Sequence, residues 1–376
     1  MISGQSARAT RLAAALLGLP LALWSLPSQA LEFNFTFVDG TPDAAKTAFI
    51  NAGQIWSDRL FDRVTVKLQV GTAALGGNIL GQSSSFDVWD SYASFRPQLT
   101  ADRLGANDQK AVATLASGLS FPMLINRTLD SDKGTGSATP YLDNDGGFNN
   151  SVVSMTAANA KALGYDLSIL PSYSGLDGSI TFSNSYSWDY DRSDGIGTGL
   201  YDFTGMAAHE MGHALGFISG VDILDWYSQP IQGGPYTENN LSYVYSLDLF
   251  RYSLSSYEAR AIDWTADTRD KYFSIDGGTT SLGLFSTGSI YGDLQQASHW
   301  KDSRYLGIMD PTAASGEMLS ISTLDLTAFD VIGWDLAPRP VPAPLPILGA
   351  LSALAWSRKL RQRIRQASTW QATTPG

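Results

Sequence analysis

Cysteine is absent from the 376 residues, histidine occurs three times and glutamate five times. Without thiols the chain carries no disulfide, so packing and bound metal ions are the means left to hold a fold together. The same absence excludes a propeptide that caps a metal with a thiolate. Basic charge is also scarce. There are 25 lysines and arginines against 36 acidic groups, and seven of the basic residues sit in the terminal segments 1–30 and 341–376, which contain no acid. The part between carries a net charge of −18. A balance that acidic argues against a nucleic-acid partner and for solubility outside the cell. The apolar runs at 12–24 and 345–356 fall short of the roughly 20 residues that a membrane-spanning helix needs. Apolar residues nonetheless make up 44% of the chain, ample for a buried core.

The scarce histidines and glutamates meet in one stretch, residues 207–217, reading A-A-H-E-M-G-H-A-L-G-F. His209 and His213 are four apart, which on a helix stacks both imidazoles on one face. That spacing suits two ligands of one zinc ion, with Glu210 beside them to polarise a bound water. Phe203, Ala207, Met211 and Ala214 form the opposite, apolar face. Asp202 or Thr204 is placed to cap the helix start and Gly216 to end it. With usage this sparse, H-E-x-x-H arises by chance in roughly one such chain in a thousand or fewer.

Extended to H-E-x-x-H-x-x-G-F, the stretch resembles the metzincin clan of zinc metallopeptidases. The clan's usual third-ligand position is Ser219 here, a poor ligand. The remaining histidine is His299, in A-S-H-W-K-D, and shortly after it Gly307, Ile308, Met309, Asp310 and Pro311 look like the clan's Met-turn. A distant third histidine ahead of such a turn resembles the leishmanolysin-type branch. S-G-V-D at 219–222, L-D-L-F-R-Y-S at 247–253 and D-V-I-G-W-D-L at 330–336 are similar to segments of secreted, surface-sorted bacterial members. The resemblance implies a zinc held by His209, His213 and His299, Glu210 as general base, and Met309 as a hydrophobic floor beneath the metal. Two histidines alone do not make the three-ligand set of a catalytic zinc. Asp222 and Glu238 are the carboxylate rivals of His299 for the third place.

Taken in order, residues 1–30 read as a signal peptide: Arg8 and Arg11, an apolar run, then Ser28, Gln29 and Ala30. Phe33, Phe35 and Phe37 alternate in a half-buried strand, a helix follows from Asp43 to about Phe61, and 64–70 alternates again. Strand, helix and strand at this length suggest a βαβ opening. Helices are expected at 100–117 and 156–163, a strand at 179–185, and helical content at 222–226 and 241–257. The expected fold class is α+β. In the metzincin arrangement this is a twisted mixed sheet with helices above an active-site helix, then an irregular lower subdomain. The catalytic domain would span 31–337, with an upper half at about 31–216 and a lower half at about 217–337 that wraps back to deliver His299. Two runs, Asp143, Asn144, Asp145 and Gly146, and Asp189 to Gly195, have the oxygen ligands that calcium takes, though neither completes the calcium-loop spacing. Solvated turns are the preferred reading of both.

Residues 338–376 form a separate module. Arg339-Pro340-Val341-Pro342-Ala343-Pro344 is a stiff linker, followed by the apolar run and the basic cluster Arg358, Lys359, Arg361, Arg363 and Arg365. The three parts resemble a PEP-CTERM sorting signal, which implies a membrane peptidase as partner, transient membrane association, and a surface or extracellular destination. A permanent single-pass anchor is the alternative.

The function expected from all this is a secreted or surface-sorted zinc endopeptidase acting on protein or peptide substrates. Two alternatives stand beside it: a catalytically silent zinc-containing surface or matrix protein, and an adhesin that binds carbohydrate through its aromatics. Processing gives the first test. Mature protein is expected to start at Leu31 and to lack the basic cluster, so an intact mass that retains Arg358 to Arg365 would favour the permanent anchor.

Overall fold

The computed structural model describes residues 31–336 apart from 78, 303 and 304; the signal segment, the proline-rich linker and the tail lie outside the described residues. Alternation places Phe33, Phe35 and Phe37 along one face of β1 (Glu32–Phe37), where neighbouring rings lie 5.9 and 6.0 Å apart. The chain then enters α1 (Asp43–Ser57), whose Ala45, Ala48, Phe49, Ala52 and Trp56 form the buried stripe. It returns as β2 (Thr65–Ala73), parallel to β1, so the opening is a βαβ unit. At the other edge β3 (Gly81–Ser85) runs antiparallel to β4 (Gly178–Ser183), which is itself parallel to β2. The resulting mixed sheet has the order β1-β2-β4-β3.

Against this sheet and α1 packs α2 (Phe203–Ala214), the helix that bears His209 and His213. Rings seal the junction: Phe49 lies 5.2 Å from Phe203, and Phe182 lies 4.7 Å from it. Trp56 reaches further, donating its indole N–H to the Ala208 carbonyl at 2.8 Å and packing edge-on against Phe329, 4.7 Å away. Phe329 belongs to α3 (Thr323–Val331), so α1, α2 and α3 share one core. The end of the described chain closes on α1, with Leu336 bridging Leu60 and the Asp335 carbonyl accepting from Phe61 N–H. Eight α-helices and several small sheets make the described residues a mixed α+β structure.

Three expectations differ from what forms. The helix at 100–117 is two, Tyr92–Asp102 and Ala106–Thr114. Asp108 accounts for the break, because its carboxylate accepts the N–H groups of Leu104 and Gly105 and so caps a new helix start. The expected helical stretch at 241–257 is a 3₁₀ turn (Ser246–Phe250), a short strand (Arg251–Tyr252) and a helix (Leu254–Ala259). There Asp248 caps the Tyr245 N–H, and the strand pairs with Lys271–Phe273. The division at 216/217 is not a boundary of packing either. Ile262 and Asp263 pair in parallel with Met123 and Leu124, and Tyr245 bridges Ser154, so segments from both sides share sheets.

Trp56 has no exposed surface. Its replacement by alanine leaves a cavity under α2 and removes the indole hydrogen bond to the Ala208 carbonyl. The expected cost is about 3–5 kcal/mol, read as a lower urea midpoint with unchanged slope.

Candidate metal centre

The centre begins with how α2 starts and stops. Asp202 is its N-cap, accepting from Gly205 N–H at 2.8 Å, while Thr204 lies inside the helix. At the other end Gly216 takes φ +118°, a conformation open to glycine and costly for other residues. The turn carries Phe217 N–H to the Gly212 carbonyl and Gly216 N–H to that of His213. It also sets the Phe217 carbonyl 2.7 Å from His213 Nδ1. The glycine that ends the helix thus orients its second histidine. Trp334, in the D-V-I-G-W-D-L stretch, donates to the Leu215 carbonyl at 2.8 Å and fixes the same corner.

The other two rings are held in the same way. His209 Nδ1 lies 2.7 Å from the Ile308 carbonyl, and His299 Nδ1 lies 3.3 Å from that of Gln296. A carbonyl oxygen accepts only, so each Nδ1 carries its proton and each Nε2 presents a lone pair. Those nitrogens converge: His213 Nε2 is 3.2 Å from His209 Nε2 and 3.2 Å from His299 Nε2. Three acceptors facing one point with no donor among them repel each other unless a cation lies between. The group is buried and able to hold a metal ion.

His299 is brought across 86 positions by the two other segments singled out in the sequence. Asp222, of S-G-V-D, accepts the N–H groups of Ala297 at 2.6 Å and Ser298 at 3.1 Å, and the Ser298 hydroxyl as well. Ser219 N–H donates to the Ser298 hydroxyl at 2.9 Å. Asp248, of L-D-L-F-R-Y-S, accepts from Ser219 Oγ, Gly220 N–H, Tyr245 N–H and the Trp264 indole. Buried Arg251 supplies the compensating charge near Asp222 and Asp248 while donating to the Ala297 and Ser286 carbonyls. Asp222 is therefore no rival ligand; it positions the segment that carries His299. Glu238, the other rival, lies in a different group with Asp143 and Asp145.

Met309 is fully buried against α2: a Cβ at Gly212 would stand 2.5 Å from its sulfur. The turn around it hangs on Asp325, which accepts from Ile308 N–H at 2.9 Å, Met309 N–H at 3.4 Å, Trp300 Nε1 at 2.8 Å and Ser322 N–H at 2.7 Å. One buried carboxylate thus ties the segment of His299 and Trp300, the Met309 turn and the start of α3 together.

Burial sets the protonation states. It pushes His209 down to about 4 and His213 to about 3, the latter also through repulsion from His209, and it holds His299 well below its usual range. All three are neutral at pH 7, the form that donates to a metal. The same burial raises Glu210 to about 7, opposed by a hydrogen bond from the Ser83 hydroxyl. Ser83 stands on edge strand β3, where nothing in the local sequence marked it. The two acidic runs diverge. Asp189 and Asp191 spend their carboxylates on backbone N–H groups of their own loop. Asp143 is not in a solvated turn but buried, 3% exposed.

Removing a ring and removing its support have different signatures. His299→Ala is expected to abolish stoichiometric metal uptake in a titration, whereas Asp222→Ala, which keeps all three rings, weakens uptake about 10- to 100-fold. Glu238→Ala leaves it unchanged. No family model, curated protein or solved structure matches the chain.

Proposed function

We propose that the chain is a zinc-dependent endopeptidase of the metzincin type, exported and acting on protein or peptide substrates. The observation that carries this reading is the convergence of three Nε2 lone pairs on the helix that also bears a buried, nearly neutral carboxyl at Glu210. Tetrahedral zinc with bonds of about 2.0–2.1 Å sets its nitrogen ligands roughly 3.3–3.4 Å apart. The two spacings of 3.2 Å fit that ion closely. Three protein ligands leave one coordination position open, the mark of a catalytic rather than a structural site. Once bound, the ion supplies an acidified water and a Lewis acid for the scissile carbonyl.

The rest falls to the chain's own residues. Glu210 takes the proton from the attacking water and returns it to the leaving amine. The hydrogen bond from Ser83 favours the charged, accepting form of Glu210 against the burial that opposes it. Met309 backs α2 without donating to the centre. A silent zinc protein has no need of a base beside its ligands at Glu210. Trp56, Trp264, Trp300 and Trp334 are core side chains, so a carbohydrate reading would rest on exposed aromatics such as Trp89 and Trp226. Among the described residues no helix is long and apolar enough to cross a membrane.

The deciding assay is hydrolysis of a generic protein substrate that stops with a chelator and returns with zinc. Glu210→Gln is expected to lower kcat/KM by about 10²- to 10⁴-fold at unchanged zinc content; activity within a few-fold of wild type would sink the role of base. A pH profile tests the environment of that base. Glu210 accepts a proton only when ionised, so activity falls as pH drops through its pKa. The acid limb is expected below the value of about 7 set by burial and the opposing Ser83 hydrogen bond, because a zinc charge favours the carboxylate. Ser83→Ala removes a donor to the ionised form and is expected to move the limb to higher pH.

A further inference from the structure

Away from the histidine centre, a second group of acidic side chains closes on itself. Ligand oxygens of Asp143, Asp145 and Glu238 lie within 4.8 Å of one another. No lysine or arginine pairs with any of the three among the described residues. Burial and mutual repulsion raise the proton affinity of Asp143 and Glu238, and a cation among them would relieve that repulsion. A second feature points the same way. Asn149 is fully buried, its Nδ2 donates to Asp143 at 2.6 Å, and its Oδ1 has no hydrogen-bond partner. A Cβ placed on Gly147 would stand 2.6 Å from Asn239 Oδ1, 2.8 Å from Asp145 Oδ1 and 3.1 Å from Asn149 Oδ1, so the unpaired Asn149 oxygen borders the same small space as an oxygen of the acidic group. A buried carbonyl oxygen without a donor is costly.

We propose that Asp143, Asp145, Glu238 and the side-chain oxygen of Asn149 form a calcium site. The donors are all oxygen, three of them anionic, and stand on loops, which is the chemistry of a hard cation that tolerates irregular coordination. Magnesium demands near-octahedral geometry and keeps its waters, so a site assembled from loop carboxylates discriminates against it. The ion joins distant parts of the chain. Asp143 and Asp145 follow the short strand Tyr141–Asp143, whereas Glu238 opens the turn Glu238–Asn240 within the excursion between His213 and His299. The two loops already touch, through Tyr141 Oη on Glu238 Oε2 at 2.6 Å and Phe148 N–H on Asn239 Oδ1. Calcium would hold that excursion against the body of the protein where a disulfide would otherwise serve.

The site shares no residue with the histidine centre, and its test leaves those residues alone. Full-length protein, loaded with zinc and freed of calcium, is titrated calorimetrically with calcium chloride up to about 1 mM, the weak end of extracellular calcium modules. One ion per chain is expected, with affinity lowered about tenfold or more in Asp145→Asn and in Glu238→Gln. Asp145 is exposed and its replacement spares the core. Calcium, but not magnesium, is expected to raise the melting temperature of the wild type and of neither variant. No uptake by folded wild type, or equal uptake by wild type and both folded variants, would overturn the proposal.

Discussion

Three imidazole lone pairs must point at one place inside a protein, and hydrogen bonds to backbone carbonyls do the aiming. Each carbonyl belongs to a different part of the fold: Phe217 to the turn that ends α2, Ile308 to the Met309 turn, and Gln296 to the loop that delivers His299. None of these carbonyls is positioned by its own side chain. The Ile308 carbonyl is where it is because Asp325 holds its peptide N–H, and Asp325 in turn caps α3. A disturbance anywhere along these supports reaches the centre as a rotated ring, with every histidine still present. Burial completes the arrangement by keeping the rings neutral, at the expense of a raised proton affinity on Glu210.

This division of labour decides what the sequence reveals. His209, Glu210, His213 and Gly216 follow from local spacing on one helix, and β1, α1 and β2 follow from their hydrophobic periods. His299 was legible for a different reason: with only three histidines in the chain, scarcity did the work that spacing could not. The supports were not legible, because a carbonyl has no signature in a side-chain alphabet and Ser83 is one serine in a run of three. The resemblance marked the segments around Asp222 and Asp248 without saying what they hold. The helices at 100–117 and 241–257 failed where one aspartate, at 108 or 248, bonds backbone N–H groups and redirects the chain, a competition that a periodicity count does not weigh.

The same competition recasts the acidic composition. There are 31 aspartates against five glutamates. A uniformly acidic surface has no reason to prefer the shorter side chain, but backbone capping does, since only Asp reaches an N–H within two or three residues without spanning a further methylene. Asp108, Asp202, Asp248 and Asp325 are buried, Asp222 is half-buried, and all five accept from backbone N–H groups. Much of the negative charge that looks like a solubility device is therefore internal scaffolding. It fixes loops in a chain that has no disulfides to fix them.

Those loops matter most in the excursion between His213 and His299. For a flexible loop, closing 86 positions rather than the six of the short metzincin pattern costs roughly 2 kcal/mol more. Hydrogen bonds to a charged carboxylate contribute about 1.5–3 kcal/mol each, and Asp222 alone accepts three from the segment before His299. Burial of that carboxylate takes back part of the gain, which is why Arg251 lies near it. The long route is therefore cheap in entropy and demanding in placement. It has a consequence that a ligand six residues away would not have. A metal ion joining His299 to α2 also joins the excursion to the core, so the free energy of metal binding is shared with the folding of residues 220–298. Loosening that segment weakens the metal, and removing the metal loosens the segment, by the same amount.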